Sequence, residues 1–157
     1  MAIFQAADIV ELAMQIEKNG EAFYRAVAAK TESPQVKALF EDLASQEVQH
    51  YGTFKSLGQT SWDPSMISPQ AWSDYLGYLD ATVQSAFFQG EDKSLSLADQ
   101  VNDKVQAIQM AIGFEKETLL FFHDLREMVP ERGRPTVSQI IAEEKEHLKR
   151  LAAFLPR

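Results

Sequence analysis

Two segments of this chain carry a glutamate and a histidine three residues apart: Glu47-Val-Gln-His50 and Glu144-Lys-Glu-His147. Residues three apart on a helix share a face. Each pair can therefore offer a carboxylate and an imidazole to one metal ion, while the second carboxylate oxygen bridges to another. Both pairs interrupt apolar stripes of helical period. The first stripe reads Val36, Leu39, Phe40, Leu43, Glu47, His50, Phe54, Leu57, and the second Val137, Ile140, Ile141, Glu144, His147, Leu148, Leu151, Phe154. Two further stripes each hold a lone glutamate: Ile9, Ala13, Glu17, Tyr24, Val27, and Val101, Val105, Ile108, Ile112, Glu115, Leu119, Phe122.

An ionised carboxylate in an apolar core costs several kcal/mol unless it is paired or coordinates a cation. These stripes contain no Lys or Arg partner. The economical resolution is metal: two divalent ions balance four carboxylates, and two neutral histidines complete the set. One Glu from each of two helices plus Glu-x-x-His from each of the other two is a known di-metal arrangement in helix bundles. An internal repeat supports it. Ile16-Glu17-Lys18 and Phe23-Tyr24 match Phe114-Glu115-Lys116 and Phe121-Phe122, and the spacing Glu17 to Glu47 is 30 residues against 29 for Glu115 to Glu144. The alternative, surface glutamates and two ordinary histidines, fits neither the stripes nor the repeat.

The elements that must position these residues read as helices throughout. The first spans about Gln5 to Lys30. Ser33-Pro34 gives a cap and a first-turn proline for the second, to about Leu57. Gly58 to Ser68 reads as loop, Ser68-Pro69 opens a shorter helix to about Phe88, and Gly90 to Ser94 reads as a break. Ser96 to Asp99 looks like the capping box of a third long helix ending near Met128. Pro130 to Pro135 is a tight connection, and Thr136 to Gln139 caps a last helix to about Leu155. Short links join antiparallel neighbours and the long middle connection is a crossover. The expected class is all-α: an antiparallel four-helix bundle with one long crossover carrying a short extra helix.

Composition limits the rest. The chain has 157 residues, 45% hydrophobic and 24% charged, which suits a single domain over residues 1–157 with its own core. With no cysteine, disulfides, zinc ribbons, iron–sulfur clusters and thiol catalysis are out. A net charge of −8 without a Lys/Arg cluster argues against nucleic acid. No apolar run is long enough for a membrane span. The N-terminus reads as the start of a helix rather than a signal peptide. A cytoplasmic location is expected.

The pattern resembles the ferritin-like superfamily and, within it, the rubrerythrin-like di-iron carboxylate proteins. The motifs that carry the resemblance are IEK…FY, QEVQH, FEKE…FF and EEKEH, over nearly the whole chain. The resemblance implies that Glu17, Glu47, His50, Glu115, Glu144 and His147 ligate two iron ions, with Mn or Zn as other candidates. Glu47 and Glu144 would bridge, and Glu17 and Glu115 would be terminal. Tyr24 matches a tyrosine often found beside such sites and is taken as the catalytic candidate. Two departures stand out. The four-cysteine rubredoxin-type domain is missing, so electrons would come from an external donor such as a rubredoxin-type protein. Thr118 stands where that family carries a further glutamate, so the family's redox-linked ligand exchange and peroxidase activity are not carried over.

The expected function is an oxidoreductase that reduces peroxide or dioxygen at a non-haem di-iron site. Iron storage or delivery, a redox-silent zinc module and an oxygenase acting on an organic substrate are the rivals. Glu21, on the Glu17 side, is an extra ligand or, more simply, the partner of a nearby base. Glu117, Glu143 and Glu146 lie about 100–200° round their helices from the ligands and are expected in solvent. His123 is expected at the surface. The aromatic group Trp62, Trp72, Tyr75, Tyr78, Phe87 and Phe88 is expected to pack the crossover and support a homodimer.

Overall fold

The structure, a computed structural model, describes residues 6–60, 70, 73–75, 77–78 and 90–157. Helix α1 (Ala6–Lys30) is followed after a three-residue link by α2 (Pro34–Gln59). Ser33 Oγ accepts from the Val36 backbone N–H at 3.3 Å, and Pro34 opens the first turn without an N–H to satisfy. The second pair is α4 (Lys104–Met128) and α5 (Arg134–Ala152), joined by Val129, Pro130 and a single 3₁₀ turn, Glu131–Gly133. Gly133 lets that turn approach α2 closely, since a Cβ there would sit 3.0 Å from Leu57 Cδ1. The architecture is therefore two helical hairpins joined by one long crossover, and no strand occurs among the described residues.

The crossover differs from expectation. Gly90 to Ser94 is not a break: Gly90 adopts φ 98° and caps a short helix, α3 (Glu91–Asp99), whose first turn holds Glu91 and Asp92. Acidic residues there face the positive end of the helix dipole. Ser96 to Asp99 thus closes α3 instead of opening the third long helix. Lys30 Nζ donates to the Ala98 and Asp99 carbonyls at 3.2 and 3.0 Å, satisfying that C-terminus from α1. The long helix starts at Lys104, where Asp103 accepts from the Gln106 N–H at 2.9 Å. At the other end α5 begins two residues early, at Arg134 with Pro135 in its first turn, and stops at Ala152. Phe154 consequently falls outside the helix and is exposed, and Leu119 is half-buried while Thr118 is buried. Most of the expected 68–88 helix, with Trp72, Phe87 and Phe88, lies outside the described residues, as does Trp62. Tyr75 and Tyr78 are described, with ring centroids 5.9 Å apart, and Tyr75 packs against the core.

The core runs the length of the bundle. On one side of the interrupted stripes Tyr24, Phe23, Phe40 and Phe114 pack in edge-on and tilted contacts, with Tyr24 5.4 Å from Phe40 and 6.2 Å from Phe114 between centroids. On the other, Phe54 meets Phe122 at 4.9 Å. These aromatic contacts hold the four helices in register above and below the layer of glutamates and histidines.

Candidate metal centre

Glu17, Glu47, Glu115 and Glu144 are buried to 1% exposure or less, and His50 and His147 to 2% or less. They come from all four long helices and converge in two groups. Glu17, Glu47, His50 and Glu144 form one; Glu47, Glu115, Glu144 and His147 form the other, with ligand atoms inside each group within 4.8 Å of one another. Glu47 and Glu144 belong to both. The histidine rings stack with centroids 5.6 Å apart.

Six of the eight carboxylate oxygens in this layer make no hydrogen bond. No ion pair joins any of the six residues to a lysine or arginine among the described residues. Glu144 Oε1 lies 2.8 Å from His50 Nδ1, and its Oε2 lies 2.7 Å from His147 Nδ1 without the alignment of a hydrogen bond. His147 Nδ1 is also 3.4 Å from Glu115 and 3.5 Å from Glu47. Unsatisfied buried oxygens facing one another are costly in a protein whose only role is to fold. A shared hard or borderline cation would satisfy this donor set, and carboxylate plus imidazole without thiolate suits iron or manganese.

The electrostatics show the same strain. Burial pushes Glu17 and Glu47 well above the usual carboxylate range, and neighbouring carboxylates add to it. Burial and the charge of Glu144 raise Glu115 to about 8. Burial pulls His50 down, but the hydrogen bond and charge of Glu144 outweigh it and hold the imidazolium up to about 9. His147 is raised in the same way against its own burial, by Glu115, Glu144 and Glu47. Tyr24, fully buried, donates its hydroxyl to Glu115 Oε1 and is held neutral by burial and that carboxylate.

Both histidines turn Nδ1 inward and Nε2 outward. His50 Nε2 is 2.7 Å from Glu143 Oε2, and Gln139 Nε2 donates to the other Glu143 oxygen at 2.8 Å. His147 Nε2 is 2.8 Å from Gln46 Oε1. Gln46 cannot flip its amide freely, because its Nε2 donates to Asp42 at 2.8 Å and Asp42 is paired with Arg150 at 2.7 Å. Each outer partner therefore accepts from Nε2–H, and that fixes Nδ1 as the atom offered to the layer.

Glu143 corrects the sequence expectation. It is half-exposed at its tip but bonds a histidine on the facing helix; helical angle alone ignores how far a glutamate reaches across an interface. Gln46 was not anticipated. The repeat carries the signal for both, since Gln46 and Glu143 each precede the glutamate of a Glu-x-x-His motif. Glu21 pairs with Arg25 at 2.8 Å and takes no part in either group. Glu117 and His123 also lie outside both groups, and Glu146 is exposed and paired with Lys149.

The family model described as Rubrerythrin matches residues 8–155. Among solved structures, a Thermotoga maritima chain described as a candidate ferritin-like diiron-carboxylate protein superposes with a TM-score of 0.71 at 24% identity, covering 98% of this chain and 95% of that one. No curated protein matches the chain. Among the described residues no helix is long and apolar enough to cross a membrane.

Proposed function

The chain belongs to the Rubrerythrin family, and from that premise we propose that it is a di-iron carboxylate oxidoreductase that reduces peroxide or dioxygen. The observation that carries this reading is the pair of four-residue groups sharing Glu47 and Glu144, with six unbonded carboxylate oxygens between them. Glu17, Glu47, His50 and Glu144 would hold one ion, and Glu47, Glu115, Glu144 and His147 the other. Two Fe(II) ions held there would supply two electrons to the oxidant, one from each ion. The chain's own residues do the rest. Glu47 and Glu144 keep the two positions at one fixed separation. His50 and His147 present Nδ1 because Glu143 and Gln46 hold Nε2. Tyr24 orients Glu115 and keeps a proton beside it. The aromatic layers around Tyr24 and Phe54 exclude water from the ligand oxygens. These 157 residues hold no cysteine to carry a thiol or iron–sulfur electron relay, and a rubredoxin-type donor is the expected class of electron source.

The test is anaerobic Fe(II) loading, metal analysis and a hydrogen peroxide titration in the same sample. About two irons per chain, oxidised by about one equivalent of peroxide, is the expected result. Tens of irons per chain would move the function to storage. Retention of zinc with no stable iron would remove the redox reading.

A further inference from the structure

The two halves of the site are built from the same repeat, yet their outer partners differ in charge. Behind His50 stands a carboxylate, Glu143, at 2.7 Å from Nε2. Behind His147 stands a neutral amide, Gln46, at 2.8 Å. An anionic acceptor on Nε2–H draws the proton away from the ring and makes Nδ1 a stronger donor; an amide does so much less.

A second difference lies on the opposite wall. Glu115, the carboxylate found only in the His147 group, accepts the Tyr24 hydroxyl on Oε1. That bond withdraws charge from an oxygen a metal would use. Glu17, found only in the His50 group, has neither oxygen in a hydrogen bond. The repeat places Phe122 where a tyrosine equivalent to Tyr24 would stand, so nothing corresponding acts on Glu17.

We propose that the two metal positions are unequal, with the position formed by Glu17, Glu47, His50 and Glu144 taking a divalent ion first, and with Glu143 and Gln46 as the positioning residues that set the difference. This rests on the metal reading above. Glu47 and Glu144 serve both positions and cancel from the comparison. What remains is a histidine backed by a carboxylate with a free terminal glutamate, against a histidine backed by an amide with a terminal glutamate held by a phenol.

The experiment is a Zn(II) titration of the full chain in competition with a chromophoric chelator, on the wild type, Glu143→Gln and Gln46→Ala. The wild type is expected to bind in two resolved steps, separated by roughly ten-fold or more. Glu143→Gln should weaken the first step by about 10–100-fold and spare the second, while Gln46→Ala should act mainly on the second. A residue that merely supported the fold would weaken both steps together, and that result overturns the proposal. So would two equal steps in the wild type. A check independent of any variant is the wild type with one equivalent of Co(II): the large contact shifts of a directly bound imidazole should fall on the His50 ring protons, with His147, its ring 5.6 Å away, showing only the smaller through-space shift. Contact shifts of equal size on both rings, or larger ones on His147, refute the order. A wild type that binds no divalent metal would overturn the metal reading itself and this inference with it.

Discussion

Loading the site with metal should drive protons out of it, and the structure names the groups that lose them. In the metal-free protein His50 Nε2 faces Glu143 and Nδ1 faces Glu144, both acceptors, so each nitrogen carries a proton near pH 7; its pKa of about 9 agrees. His147 is raised above its ordinary range by three carboxylates and is also an imidazolium. Glu115, at about 8, holds its proton. Glu17 and Glu47 are both raised, by burial and by the carboxylates around them. Two divalent ions on four carboxylates and two neutral histidines sum to zero charge. Metal loading near pH 7 therefore expels at least about two protons, those of His50 and Glu115. The release is measured by calorimetric titration of Zn(II) in buffers of differing ionisation enthalpy. It should be smaller by about two near pH 9.5, where His50 and Glu115 have already lost theirs. Release of fewer than about two protons per chain near neutrality would refute the picture of a layer that holds protons where it would hold metal.

Three other outcomes follow from the same geometry. Burial and like charge raise Glu17, Glu47 and Glu115, and the carboxylates around them raise both histidines, so the metal-free fold binds more protons than the unfolded chain. Its stability should fall as pH rises, from about pH 5 through the Glu115 value near 8 and the His50 value near 9, while the metal-loaded protein should lose this slope or reverse it; melting temperatures at several pH values check both. Glu144→Gln should abolish both metal positions and cost the metal-free protein about 3–5 kcal/mol in urea, because two buried imidazoliums lose their shared anion, whereas Glu17→Gln should leave the His147 position able to bind. Gly20→Ala would place a Cβ 2.9 Å from Phe114 Cε1 and 3.4 Å from Glu47 Cδ, so it should destabilise by about 1–3 kcal/mol despite alanine's better helix propensity, and weaken metal binding through Glu47; an unchanged melting temperature would sink that expectation.

The long helices and the buried layer were legible because their signals are local. A glutamate at the stripe position between Leu43 and Phe54 has nowhere to go but inward, and the same holds for Glu115 between Ile108 and Phe122. The caps at Ser33 and Pro34 were read correctly for the same reason. The start of α4 was misplaced because two capping patterns compete: Ser96 to Asp99 and Asp103 to Gln106. The sequence alone does not show that Lys30, far away on α1, closes α3 at Ala98 and Asp99 and leaves Asp103 to open the next helix. Glu143 and Gln46 were missed or misread because their partners sit on the facing hairpin. Their positions become informative only once the two Glu-x-x-His segments lie side by side.

That arrangement explains how a pseudo-symmetric chain can hold a chemically asymmetric site. The repeat fixes the backbone, so each hairpin delivers a glutamate, a Glu-x-x-His pair and one outer residue to equivalent places. Changes that leave the helices intact then act on one half alone: glutamine for glutamate before the motif, and phenylalanine for tyrosine seven residues after the lone glutamate. Neither change disturbs packing, since Phe122 is as buried as Tyr24 and Gln46 and Glu143 both sit at the edge of the layer. The bridging glutamates cannot vary in this way, because Glu47 and Glu144 each serve both halves. Tuning of the two ions therefore falls to the outer residues, while the buried carboxylates hold the site at a standing cost in metal-free stability.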